Sequence, residues 1–186
     1  ELLEPHIGDS VLHLGAIGAG GEKEHLWLHG WIKQRCDELL GIDIDEKIAE
    51  VGAEGYDVIR ADAQQFSLAK KFDTIVATNI IEHVPNPGKL LSCCAEHLKP
   101  NGVVLLTTPR THIPWNVLRE LHGGMDPHPE HKMWFCRATL TALIESKELE
   151  VQEHRTWGFN RRGTTAPDKA WRVAERLLSL APPLSR

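Results

Sequence analysis

Residues 72–109 read FDTIVATNIIEHVPNPGKLLSCCAEHLKPNGVVLLTTP, and their order of apolar and turn-forming residues decides the fold. The run FDTIVAT at 72–78 has an apolar centre at Ile75, Val76 and Ala77, as a strand buried on both faces requires. Pro87 brings the fixed φ that suits a first helical turn, so a helix is expected from there to about Leu98. Pro100, Asn101 and Gly102 close it, and VVLLTT at 103–108 begins the next strand. A strand, a helix and a second strand in this order predict a parallel pair joined by a right-handed crossover.

The same rhythm extends toward the N-terminus. SVLHL at 10–14 is a short apolar run that ends in Gly15 and predicts a buried first strand feeding a glycine loop. Leu26, Trp27, Ile32, Leu39 and Leu40 stand among charges, which predicts an amphipathic helix across much of 22–39. Trp27 and Trp31, four apart, are expected to pack rather than bind. LLGIDI at 39–44 predicts strand two, Asp45 is expected to cap a helix through about Gly52, and 57–61 predicts strand three. Toward the C-terminus, 140–146 has helical spacing, 149–157 alternates like an antiparallel edge strand, and 168–180 reads as a last amphipathic helix. Between them, prolines, the pair Gly123–Gly124 and several histidines at 109–134 predict a loop-rich cap. The expected architecture is α/β: a doubly wound, mostly parallel sheet flanked by helices, as a single domain over 1–186.

Composition narrows the partners. Apolar residues make up 41% and charged residues 25%, the balance of a globular protein. The formal charge is −5 and the basic residues are scattered singly, so a nucleic-acid partner is not expected. No apolar run approaches the roughly 20 residues of a membrane span, and the N-terminus has no basic-then-apolar signal, so a cytoplasmic location is expected. Cys36, Cys93, Cys94 and Cys136 form no Cys-x-x-Cys pair and are expected as reduced thiols.

Three strand ends carry chemistry. The loop GAIGAGG at 15–21 lets backbone approach a ligand without Cβ obstruction, and the following helix end offers free N–H groups. Asp43, ending strand two, can accept both hydroxyls of a ribose. Asp62, just after strand three, can accept from the exocyclic amine of adenine, with Ala63 leaving room for the ring. Together they describe the footprint of one adenosine-containing ligand. An NAD-dependent dehydrogenase would share the glycine loop and the strand-two acid, but does not account for 72–109.

With VLHLGAIGAGG, GIDID, RADA and 72–109, the chain resembles the class I S-adenosylmethionine-dependent methyltransferases from about Val11 to Pro109, and 131–153 is similar to their later helix and strand. The resemblance implies a Rossmann-like, seven-stranded sheet with an antiparallel last strand, although LLSLAPPLSR at the C-terminus contains no obvious strand to complete it. It implies S-adenosylmethionine as cofactor, held by Gly15, Ala16 and Gly18 at its methionine part. Asp43 and Ile44 would hold the ribose side, Asp62 and Ala63 the adenine, and Asn79 the far side. Two positions depart from the family pattern: His13 replaces the usual strand-one acid, and Ile17 and Ala19 replace two loop glycines.

Methyl transfer from a sulfonium needs an aligned nucleophile more than a base, but a hydroxyl acceptor must lose a proton, which a histidine can take. His83 and His131 are the expected catalytic residues, and His112, Trp115, His128 and Trp134 the expected substrate contacts. The run NIIEH at 79–83 resembles the Glu-x-x-Glu-His element of metal-dependent relatives, among them ubiquinone-biosynthesis O-methyltransferases and RNA 3′-end 2′-O-methyltransferases, with Asn79 in place of the first carboxylate. A metal is not expected, and if one binds, its ligands are Glu82, His83 and His131. The expected activity is O-methylation of a small or glycan-like metabolite. The alternatives are metal-assisted methylation of RNA 3′ ends and a noncatalytic cofactor-binding module of the same fold.

Overall fold

The computed structural model describes residues 3–17, 22–109, 121 and 129–156. The chain divides into two compact units, Glu1–Val151 and Gln152–Arg186, and every element below belongs to the first. A 3₁₀ turn at Glu4–His6 leads into β1 (Ser10–Leu14), α1 (Glu22–Lys33), β2 (Glu38–Asp43), α2 (Ile48–Ala53) and β3 (Val58–Arg60). There follow β4 (Phe72–Thr78), α3 (Pro87–His97), β5 (Leu98–Thr107) and α4 (Arg137–Glu145). The strands form one sheet in the order β3-β2-β1-β4-β5, with every pair parallel.

The two-residue period of the strands sorts the core into two layers. Leu12 and Leu14 of β1 join Ile75 and Ala77 of β4 in one cluster with Leu90, Leu91 and Cys94 of α3, and Leu140, Leu143 and Ile144 of α4 pack against it. Val11 and Val76 face the other way, into a smaller cluster with Ile32 and Leu39 that Leu28 and Trp31 flank. Both faces of the sheet are therefore covered, the doubly wound arrangement expected from the sequence. Trp31 packs as expected, with the Arg35 guanidinium 4.0 Å from its ring centroid. All four cysteines are free thiols. No helix of the described residues is long and apolar enough to cross a membrane.

The amino-terminal edge of the sheet is tied by a polar clamp. Ser10 donates to Asp73 Oδ2 through its backbone N–H at 3.0 Å and its hydroxyl at 2.6 Å, and Lys99 Nζ donates to the same oxygen at 2.8 Å. Those bonds join the starts of β1, β4 and β5. They hold the Asp73 carboxyl down at about 2, with Lys99 as the largest cause.

Several boundaries differ from the sequence reading for identifiable reasons. Asp45 does not cap α2: the helix begins at Ile48 with Lys47 before it, and Asp45 Oδ1 accepts from Lys47 N at 2.9 Å in the preceding turn. β5 starts at Leu98, but regular pairing begins only where Val103 meets Thr74, because Pro100, Asn101 and Gly102 break the register. The alternation at 149–157 is not realised as a strand over 149–156: it follows Glu148 at φ 57 and finds no ladder partner among the described residues. The expected helix at 168–180 and most of the expected cap at 109–134 lie outside the described residues.

Candidate functional site

The strand order reverses between β1 and β4, so the crevice of this sheet lies at the carboxyl ends of those two strands. Gly15 leaves β1 there at φ +71, a left-handed conformation that glycine adopts without strain. The N–H groups of Gly15 and Ala16 donate to Ile42 O at 2.9 and 3.2 Å, which folds the loop over the end of β2. A Cβ added at Gly15 would stand 3.4 Å from Ile80 Cδ1, so the β1 and β4 ends meet at this point.

Asp43 closes β2 and is held on two sides. Its Oδ2 accepts from Ile17 N at 2.8 Å and its Oδ1 from Asp45 N at 3.0 Å. A carboxylate only accepts, which is the chemistry that the two hydroxyls of a ribose require. Ile44 follows with 67% of its side chain exposed, an apolar surface beside the carboxylate against which a planar group can lie. Asp43 O accepts from Ala61 N at 2.9 Å, bringing the end of β3 alongside. Asp62 is exposed just beyond, while Ala63 is buried. The three strand ends that the sequence groups together are thus neighbours on one edge.

Asn79 ends β4 in the left-handed region at φ 49, with its side chain exposed. Its N–H donates to Thr107 O and Oγ1 at 3.0 and 3.1 Å, and its Oδ1 accepts from Thr107 Oγ1 at 3.3 Å.

The turn after β4 carries a second cluster. Glu82 O accepts from Lys132 N at 2.8 Å and from Met133 N at 3.3 Å, and this pins 131–134 beside the turn. His83 and His131 consequently meet edge to face with ring centroids 4.7 Å apart, and Trp134 lies 6.3 Å from His131. His83 Nδ1 is 3.9 Å from Glu130 Oε2, a residue that sequence reasoning did not single out. The Glu82 side chain is 1% exposed, and neither carboxylate oxygen makes a hydrogen bond of ordinary geometry among the described residues. Burial raises its pKa, opposed by its own backbone, by Thr108 and by the charge of His83.

The donor set suits a divalent cation. Ligand atoms of Glu82, His83 and His131 all lie within 4.8 Å of one another, and two imidazoles with one carboxylate are a usual set for zinc, iron or manganese. The buried Glu82 carboxylate fits such an ion, since its oxygens make no hydrogen bond of ordinary geometry among the described residues and a buried charge carries a large desolvation cost. Gly18, His112, Trp115 and His128 lie outside the described residues.

A family model described as a methyltransferase domain matches residues 17–154. The ubiquinone biosynthesis O-methyltransferase of Leptothrix cholodnii is 32% identical over 141 residues, covering 63% of this chain and 60% of the relative. That of Pasteurella multocida is 29% identical over 102 residues, covering 55% and 41%. The chain spans about half the length of the curated relatives it matches. In fold it is similar to a SAM-dependent methyltransferase from Archaeoglobus fulgidus, with a TM-score of 0.61, 20% identity and coverage of 94% of this chain and 80% of that one.

Proposed function

The chain belongs to the methyltransferase domain family, and from that premise we propose that it transfers the methyl group of S-adenosylmethionine to a hydroxyl oxygen of a small acceptor. The observation that carries this reading is the placement of Gly15, Asp43 and Asp62 at the carboxyl ends of three adjacent strands, beside the switch point of the sheet. The names of the relatives, ubiquinone biosynthesis O-methyltransferases, favour oxygen as the atom methylated and a small acceptor over RNA.

When bound, S-adenosylmethionine supplies a methyl group on a sulfonium sulfur, whose C–S bond breaks as the C–O bond to the acceptor forms. The chain contributes mainly position. Asp43 accepts the ribose hydroxyls, Ile44 covers one face of the nucleoside, Asp62 and Ala63 receive the adenine, and Gly15 with Ala16 lets the methionine part approach the backbone. Asn79 borders the crevice from the β4 side. The imidazole of His83 or His131 takes the proton that the acceptor hydroxyl loses, and Trp134 borders the acceptor.

Calorimetric titration with S-adenosylhomocysteine tests the reading: saturable binding is expected, and no heat at millimolar ligand removes it. Replacing the base separates binding from chemistry. In the double variant His83→Ala, His131→Ala the affinity for S-adenosylhomocysteine stays within a few-fold of wild type while kcat toward a small hydroxylated acceptor drops by about 10²–10⁴.

The buried carboxylate beside two imidazoles favours a metal-assisted form of the same reaction. Glu82, His83 and His131 would hold the ion, which would lower the pKa of an acceptor hydroxyl and orient it. Titration of the protein with Mn²⁺ alone is expected to give binding that weakens at least tenfold in His131→Ala, by the loss of one of three ligands. Equal affinity in the two proteins, or none in wild type, would return the cluster to acid–base work only.

A further inference from the structure

Both carboxylate oxygens of Asp62 are engaged by a single neighbouring residue. Gln64 Nε2 donates to Oδ1 at 3.1 Å and to Oδ2 at 3.3 Å, and the Gln64 backbone N–H donates to Oδ1 at 2.9 Å. On its other side, Gln64 Oε1 accepts from Asn86 N at 2.8 Å. A backbone N–H only donates, so Asn86 fixes which end of the amide carries oxygen and turns the NH₂ group toward Asp62. Asn86 is itself anchored as the N-cap of α3, its Oδ1 accepting from Lys89 N at 3.0 Å. One amide therefore spans from the carboxylate after β3 to the cap of the helix that follows β4.

We propose that Gln64 is a positioning residue for base recognition: it holds the Asp62 carboxylate in the orientation that accepts the exocyclic amine of adenine, and so selects adenine over a base with a carbonyl at that position. The inference rests on the S-adenosylmethionine reading above. An exposed aspartate on a turn would otherwise be ordered at the moment of binding, which costs affinity. The Gln64 amide meets that cost in advance. Gln64 makes two bonds to Oδ1 and one to Oδ2, so Oδ2 keeps an acceptor position for the amine of adenine. The same fixed carboxylate repels the carbonyl oxygen of hypoxanthine, and a loosened one turns away from it. Selectivity thus has an attractive and a repulsive half, and both depend on orientation.

Titrations with S-adenosylhomocysteine and S-inosylhomocysteine separate this role from a merely structural one. Wild type is expected to prefer the adenosyl ligand clearly. In Gln64→Leu the affinity for S-adenosylhomocysteine falls about two- to tenfold, as one immobilisation cost returns. The inosyl ligand binds as before or more tightly, so the preference shrinks by at least that factor. Gln64→Glu keeps an acceptor for Asn86 N but sets a second carboxylate where the donor to Asp62 stood, and the like charge turns Asp62 away; it shows the same narrowed preference with the loop still anchored. Parallel weakening of both ligands, with the preference intact, would overturn the proposal. Equal wild-type affinity for the two bases overturns it as well, and failure of wild type to bind either ligand removes the cofactor reading beneath it.

Discussion

Acidification from pH 6.5 to 4.5 is expected to lower the melting temperature of this protein steeply, through two buried histidines. His13 of β1 and His29 of α1 are 2% and 1% exposed, and their Nδ1 atoms are 3.1 Å apart. That contact requires one ring to donate and the other to accept, so at least one of the two is neutral at Nδ1. Neither Nε2 has a partner among the described residues. Burial, then the charge of His29, lowers the pKa of His13 from the usual 6.5 to about 3. Burial and then Lys33, opposed by Asp57, lower that of His29 to about 4. The Tyr56 ring, 5.6 Å from that of His29, adds no charge that would rescue the protonated form. Room for the pair comes from Gly41, where an added Cβ would stand 2.9 Å from His29 Cε1.

The direction of the effect follows from proton counting. The unfolded chain binds protons at these rings near pH 6.5 and the folded chain does not until about pH 4 and 3, so stability is full above 6.5 and drains as the pH falls. Each ring removes on the order of 1 kcal/mol per pH unit across that window, against a total of about 5–15 kcal/mol for a typical domain. Asp73 acts lower: its contribution is present above 3.8 and is lost as the pH falls toward about 2. Thermal melts of the double variant His13→Leu, His29→Leu are the check. Removing all four nitrogens leaves no orphaned group, so the variant should fold at pH 7 and lose far less melting temperature between pH 6.5 and 4.5. A slope matching wild type would mean that other groups carry the acid sensitivity.

The contrast between what the sequence announces and what it conceals has a physical basis. β4 and the start of α3 are legible to the residue, because an apolar run and a proline at the first helical position are local signals. Asp43 and Asp62 are legible as well, since their place relative to a strand end is fixed by chain order alone. The His13–His29 pair is not: that Val11 and His13 face α1 follows from strand alternation, but which helical residue meets His13 depends on how α1 is rotated against the sheet. Gln64 is hidden for a similar reason, its second partner Asn86 being 22 residues away. His131 joins His83 in the sequence reading only through the family resemblance, and the bonds from Lys132 and Met133 to Glu82 O that bring them together leave no trace in composition. Over 149–156 the alternation is not realised as a strand, because period two marks one only where a neighbour supplies a ladder, and none does among the described residues.

Loss of the Asp43 carboxylate is expected to do the most damage to ligand binding, because the group serves the loop and the ligand together. Without it, Ile17 N and Asp45 N lose their acceptors, and the loop keeps only its backbone bonds to Ile42 O at the end of β2. The ribose hydroxyls lose theirs at the same time. Hydrogen bonds to a charged partner contribute about 1.5–3 kcal/mol each, so two ribose bonds correspond to roughly 10²–10⁴ in affinity for S-adenosylhomocysteine. Asp43→Asn keeps one acceptor oxygen but turns an NH₂ group toward a donor, so it should fall between wild type and Asp43→Ala. The ligand-induced rise in melting temperature gives an independent reading, since stabilisation grows as RT ln(1 + [L]/Kd) and vanishes when Kd exceeds the ligand concentration. Asp43→Ala should show no rise at a concentration that saturates wild type. If it binds S-adenosylhomocysteine within threefold of wild type, the end of β2 is not where the ribose sits, and the arrangement of the nucleoside along this edge must be redrawn.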